Sequence, residues 1–488
     1  MKLMMILKFK LYPNIYIFEI KHNIMKKLSR RSFLMSSSLA SSGLIFIPGF
    51  LKNSPNNRLN VAVIGVGGRG KANWSKIPKE NIVALCDVDD KRASNGYSMF
   101  PKAKKFKDFR VMYDQMAKEI DAVIITTPDH THFAATMIAM ELGMHVYVEK
   151  PLAHNVWQLR TLKKAAQYYN VVSQMGNQGH TTNGIRLIKE WYDQGILGEV
   201  REVHAWHGAF KFAPGNYFTK PETFPPSVDP VPSYLDWDLW LGPAKFKPFN
   251  SAYAPRSWRG FYDFGNGQLG DWACHTIDGP FWALQLGMPH TAEGFVPNPK
   301  TEHGFIADQS ITTLEFAARD NRPPVTLKWY EGGYQPEIKP EWGIDKLDRS
   351  GMLMIGEKKT LLTGGRPNKP RLLVSQDEWN DFQKNPPKKT IPRVYEEGPV
   401  QEWVDAIKNN SLPGSHFGYA AELTEMALIG VLAQRFATKI EYDASKMKIT
   451  NRPDIDAFIK EPTREGWSYG ETYKKVFRLG KYTYVLFR

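Results

Sequence analysis

Short apolar, β-branched runs separated by helix-length segments dominate the chain between residues 59 and 175. Leu59-Asn60-Val61-Ala62-Val63-Ile64 reads as a buried strand, and further apolar runs occupy 82–86, 122–127, 145–148 and 171–175. The intervening stretches 131–142 and 155–169 are long enough for helices. Strands alternating with helices predict a parallel, doubly wound sheet, since each crossover helix covers a sheet face. Beyond about residue 184 the pattern changes to a helix at 185–194, strands at 200–206, 311–316, 325–329 and 352–355, and helices at 401–409 and 419–437. That is the pattern of an α+β domain with an open, mainly antiparallel sheet. The expected organisation is a leader and linker at 1–58, a nucleotide-binding unit at 59–183, an α+β substrate and oligomerisation unit at 184–440 and a C-terminal extension at 441–488.

Length agrees with more than one core, because single cores stop growing near ~250–300 residues and this chain has 488. The formal charge of +14 suggests an anionic partner only until it is located. Residues 1–58 hold ten Lys and Arg against Glu19 alone, and the remaining excess is scattered among acidic residues. Without a basic stripe on the body, nucleic-acid binding loses its support. The two cysteines, Cys86 and Cys274, exclude a disulfide framework.

In the leader, the stretch from Met25 to Leu34 carries Lys26-Lys27 and Arg30-Arg31 ahead of Phe33-Leu34. It resembles a twin-arginine export signal. The apolar stretch after it, roughly 35–50, is too short and serine-rich to span a bilayer, so no stable membrane insertion is expected. A removable signal and a periplasmic location are the expectation.

The first strand runs into Gly65-Val66-Gly67-Gly68-Arg69-Gly70, and Asp87 closes the next strand. Glycines permit a tight turn and close approach of a pyrophosphate, and a helix N-terminus supplies amide donors. A carboxylate at the end of the second strand binds ribose hydroxyls. Asp87 would repel a 2′-phosphate, which favours NAD; Lys91 and Arg92 are what an NADP reading would use.

With Thr126-Thr127-Pro128-Asp129-His130-Thr131-His132 and Glu149-Lys150-Pro151, the glycine loop resembles the Gfo/Idh/MocA oxidoreductases over about residues 59–440. The resemblance implies a Rossmann domain and a second domain whose sheet holds substrate over nicotinamide. It also implies cofactor contacts from Thr127, Pro128, His130, His132, Glu149 and Lys150, and a catalytic role for Lys150. Chemically, a lysine at the carboxyl end of a parallel strand can polarise an alcohol. The segment Gly270–Asp278 resembles the family's second signature, an Asp-x-x-x-His pair. Its i, i+4 spacing puts Asp271 and His275 on one helical face, with His275 as general base and Asp271 as its orienter or a substrate ligand. No metal ligand set is evident.

Asn177 and Gln178, followed by His180, come after a strand and could contact nicotinamide or substrate. Fifteen aromatics lie between Trp206 and Tyr262, suited either to stacking on sugar C–H faces or to packing a loop or an oligomer interface. The expected activity is NAD-dependent oxidation of a secondary hydroxyl on a sugar, glycoside or polyol by a homo-oligomer. The alternatives are a redox-neutral glycosidase or lyase working through transient oxidation and elimination, and a non-catalytic sugar-binding protein.

Overall fold

The computed structural model describes residues 58–208, 212, 216–300 and 304–473. It also gives the backbone of four strands near the chain ends, Phe9–Tyr12, Ile15–Phe18, Lys474–Leu479 and Tyr482–Phe487, which pair in one small sheet. The arginine pair of the leader lies outside the described residues.

The first large unit contains β1 (Asn60–Ile64), α1 (Arg69–Trp74), β2 (Asn81–Cys86), α2 (Asp90–Met99), β3 (Lys104–Phe106) and α3 (Phe109–Met116). It continues through β4 (Ala122–Ile125), α4 (Asp129–Glu141), β5 (His145–Val148), α5 (Val156–Tyr169) and β6 (Ser173–Met175). Its strands lie in the order β3-β2-β1-β4-β5-β6 and every neighbouring pair is parallel. Successive side chains of a strand point to opposite faces, so a sheet covered twice needs apolar residues at every position. Ala62 and Ile64 accordingly pack with Met112, Met137 and Leu159, while Val61 and Val63 pack with Trp74, Leu85 and Tyr147 on the other side. The order reverses between β1 and β4, which opens a crevice at the carboxyl ends of those strands. Strand β3 was not among the apolar runs because it is a polar edge, Lys-Lys-Phe, with two exposed positions.

The second unit holds α6 (Asn183–Asp193), β7 (Val200–His207), α7 (Gly267–Thr276), α8 (Asp278–Leu284), β8 (Thr291–Phe295), β9 (Ser310–Phe316) and β10 (Val325–Glu331). After these come β11 (Ser350–Gly356), β12 (Thr360–Gly364), β13 (Arg371–Leu372), α9 (Pro399–Asn409), α10 (Phe417–Arg435), β14 (Lys439–Asp443) and β15 (Lys448–Ile449). Nine strands form one sheet in the order β13-β12-β11-β7-β10-β9-β8-β14-β15, antiparallel except for β7 with β10. Helix α10 is buried along nearly its whole length between this sheet and helices α5 and α7.

Two details differ from the expected division. The boundary after residue 440 falls inside β14, which extends the nine-stranded sheet. Helix α9, expected within the substrate unit, buries Val400, Trp403, Val404 and Ile407 against the first sheet's Val61, Val63 and Ile124. Periodicity marks an apolar helix face but not the surface it covers.

Candidate functional site

The turn after β1 folds back on itself so tightly that side chains are excluded. Gly65 has φ +81°, and a Cβ on Gly70 would lie 1.9 Å from the Gly65 carbonyl oxygen. A Cβ on Gly67 would lie 2.5 Å from the Arg92 carbonyl oxygen. Thr126 Oγ1 donates to the Gly65 carbonyl from the neighbouring strand end. Asp87 Oδ2 accepts from the amides of Val66 at 2.8 Å and Gly67 at 3.3 Å, and Oδ1 accepts from Asp89 N at 3.0 Å. Burial pushes the Asp87 carboxyl up, against the pull of those three amides. The aspartate therefore braces the loop as well as lining the cavity beside it.

That cavity, about 510 Å³, extends from Asp87, Asp89 and Arg92 past Gly65, Gly67, Gly68 and Arg69, along Thr126–Pro128, to Glu149, Lys150, Asp271 and His275. Its size suits a small-molecule or cofactor site, typically ~300–1,000 Å³. A side-chain-free turn, a helix starting at Arg69 and a carboxylate at the end of β2 fit a dinucleotide's pyrophosphate and ribose.

At the far end, Lys150 Nζ donates to the Asp271 main-chain oxygen at 2.7 Å and to Oδ1 at 2.5 Å. Arg259 Nε reaches the same Oδ1 at 3.2 Å. Burial pushes the Asp271 carboxyl up, but Lys150 and Arg259 outweigh burial and hold it well below the carboxylate range. His275, 2% exposed, is held far below its ordinary value, first by burial and then by Lys150 and Arg366. Its imidazole is thus neutral and able to take a proton, and its Nδ1 has no hydrogen-bond partner among the described residues.

The structure brings most of the expected residues to this cavity, but Gly70, His130, His132 and Asn177 do not line it, Gly70 because it packs against the Gly65 carbonyl. Asp271 and His275 share α7, yet the carboxylate that was expected to orient the imidazole is bonded to Lys150 and Arg259 instead. His130 does not line the cavity; its ring nitrogens face the carbonyls of Phe264 at 3.2 Å and Trp240 at 2.9 Å, and burial pushes it down to about 3. His132 is likewise withdrawn, between the carbonyls of Pro151 at 2.9 Å and Thr127 at 2.8 Å, where it ties the Thr-Pro turn to the Lys-Pro turn. Asn177 is turned away: its Nδ2 donates to Asp278 Oδ2 at 2.9 Å, in a buried cluster with His180 and Tyr419. Gln178 remains at the cavity. Glu149 lines it too, while its Oε1 accepts from Arg69 at 2.9 Å and Asn73 at 2.8 Å, fixing α1.

Sequence reasoning missed Arg259, Arg366, Trp272 and Trp467, all of which line the cavity. Arg259 lies within the aromatic-rich stretch and stacks on Trp258 and Tyr217, a pairing that could have singled it out. Trp467 follows the second sheet by many residues and carries no local signal.

Fold and site together define a Rossmann dinucleotide-binding protein in which Lys150 of the first unit meets Asp271 and His275 of the second at the far end of the nucleotide crevice. Residues 59–177 match the Gfo/Idh/MocA oxidoreductase family's NAD-binding Rossmann fold, and residues 183–290 match its C-terminal alpha/beta domain. The two matches are consecutive along the chain. Among curated proteins, it is 29% identical over 199 residues to a glycosyl hydrolase family 109 protein of Solibacter usitatus, covering 36% of this chain and 45% of that one. It is 25% identical over 234 residues to levoglucosan dehydrogenase of Pseudarthrobacter phenanthrenivorans, covering 45% and 50%. The chain thus spans about half the length of these relatives. A solved levoglucosan dehydrogenase in complex with NADH and levoglucosan superposes with a TM-score of 0.54 at 17% identity, over 79% of this chain and 99% of that one, a likeness of fold.

Proposed function

We propose that this protein is an NAD-dependent oxidoreductase acting on a secondary hydroxyl of a sugar, glycoside or polyol. The observation that carries this is the Lys150–Asp271 bond beside a neutral, buried His275, at the end of a cavity that starts on the glycine loop. Gly65–Gly70 and Asp87 would hold NAD, which when bound supplies the hydride acceptor. Lys150 has one N–H left after its two bonds to Asp271, and directs it to the substrate hydroxyl oxygen, favouring the ionised alcohol. His275 takes the hydroxyl proton on its imidazole. Asp271 keeps the lysine aimed. Absorbance of NADH, followed with a panel of sugars, glycosides and polyols, tests the reading; NAD binding without reduction by any of them would count against it.

The pH dependence follows from His275. Because its folded pKa lies well below 6.5, the proton-accepting form persists as pH falls through 6.5. The acid limb of kcat/KM should therefore lie well below pH 6.5. The same shift makes this histidine a source of lost stability below pH 6.5, where the unfolded chain takes up the proton and the folded one does not. An acid limb centred at 6.5 or above would remove His275 as the base.

A second reading, redox-neutral cleavage of glycosides by transient oxidation and elimination, is favoured by one wall of the cavity. Leu235, Leu239 and Trp240 line the cavity, and Leu235 pairs with Asp89 just beyond β2. Asp90 N donates to Tyr234 O at 3.0 Å and Asp236 N to Val88 O at 2.9 Å, stapling that wall to the end of β2. A wall held this way favours a cofactor retained through turnover, and the match to a glycosyl hydrolase family 109 protein points the same way. Glycoside cleavage without net NADH would select this reading.

Export by the twin-arginine route to the periplasm belongs to the same proposal and is supported by Lys26-Lys27, Arg30-Arg31 and Phe33-Leu34. The double variant Arg30→Lys, Arg31→Lys should stay inside the cell, as read by fractionation; normal export would overturn the route. Homo-oligomer formation belongs to the same proposal. Light scattering reads it directly.

A further inference from the structure

We infer that Arg366 is an oxyanion subsite, and that the substrate of the proposed oxidoreductase carries a carboxylate of the uronic-acid kind; the inference rests on that functional reading. Arg366 lies in the loop between β12 and β13, and the backbone on both sides of it is pinned. Thr276 Oγ1 donates to the Gly365 carbonyl at 2.8 Å and Thr182 Oγ1 to the Pro367 carbonyl at 3.0 Å. A Cβ on Gly179 would come within 2.4 Å of Pro367 Cδ, and one on Gly184 within 2.2 Å of the Pro367 carbonyl oxygen. The loop is thus clamped between the end of α7 and the start of α6, and it delivers one guanidinium to the cavity.

That guanidinium lies 5.2 Å from the ring centre of Trp272, and its nearest polar partner is Gln178 Oε1 at 3.4 Å. Among the described residues it has no carboxylate partner, although it lines the cavity alongside Lys150, Asp271 and His275. The neighbouring cations are engaged: Arg69 with Glu149, and both Lys150 and Arg259 with Asp271. A guanidinium stacked on an aromatic face keeps its N–H edge for a planar acceptor, and a carboxylate matches that fork in geometry and in single charge. Arg366 also disfavours protonation of His275. A substrate anion on Arg366 would offset that repulsion, so an acidic sugar would strengthen the base as it binds.

The test uses the full-length protein loaded with NAD and titrated calorimetrically with D-glucuronate, D-glucose, D-glucose 6-sulfate and D-glucose 6-phosphate. Wild type should bind glucuronate about 10-fold or more tighter than glucose, the scale of one charge-assisted hydrogen bond. Arg366→Gln should lower that ratio by about 10- to 100-fold, with Arg366→Lys between the two and NAD affinity equal in all three. A wild-type preference for glucose, an unchanged ratio in Arg366→Gln, or a loss of NAD affinity would overturn the subsite. Tighter binding of the sulfate or phosphate ester than of glucuronate would overturn the carboxylate assignment. If glucuronate binding depends on Arg366 while no sugar reduces NAD, the oxidoreductase reading falls and the subsite stands.

Discussion

Lys150→Ala is expected to slow single-turnover chemistry by about 10²-fold or more while NAD remains bound. The lysine fixes the Asp271 carboxylate and, in the proposed reaction, reaches the reacting hydroxyl, whereas the glycine loop and Asp87 are held by other bonds. Removing it leaves a buried carboxylate with Arg259 alone, at 3.2 Å, which should cost about 1–3 kcal/mol of stability. Losing Lys150 also relieves His275 of a positive neighbour, so the acid limb of the rate should move upward in pH. His275→Ala should slow the same step by a similar factor. Because both serve one proton transfer, the double variant should lose less than the product of the two single losses. Multiplicative losses would show that the two residues act on separate steps. Loss of NAD binding in Lys150→Ala would reassign the lysine to the cofactor.

Gly70→Ala should weaken NAD binding by about 10²-fold and destabilise the protein by about 1–3 kcal/mol. The added methyl would lie 1.9 Å from the Gly65 carbonyl, a backbone atom that can yield only if the loop opens. Opening the loop would also move the amides of Val66 and Gly67 away from Asp87, so one substitution disturbs the pyrophosphate and ribose contacts together. Gly143→Ala separates sterics from backbone strain: Gly143 has φ +77° but open space around its Cβ position. It should cost about 1 kcal/mol and leave NAD affinity unchanged. Tryptophan fluorescence quenching by NAD and thermal unfolding measure both quantities; equal NAD affinities in Gly70→Ala and wild type would remove the glycine loop from the site.

The nucleotide half was legible in the chain because its chemistry is local. A strand, a tight glycine turn, a helix and a carboxylate some twenty residues later are set by backbone conformation and short-range spacing. The apolar runs that place β1, β2, β4 and β5 in a doubly covered sheet are equally local. The second half of the site obeys no such rule. Asp271 and His275 could be placed on one helical face, but which cation would take the carboxylate depended on a lysine 121 residues away and on Arg259 arriving from the aromatic stretch. His130, His132 and Asn177 sit in motif positions that suggested cofactor contact. Packing instead aimed them at the carbonyls of Phe264, Trp240, Pro151 and Thr127 and at the buried Asp278. Arg366, Trp467 and helix α9 reach their surfaces only through long-range closure of the chain. Spacing alone determined the loop, the strand order's class and the helical pair. The partner of each buried charge was decided by which elements the tertiary structure brought against it, since a charge removed from water binds whatever opposite group the packing supplies.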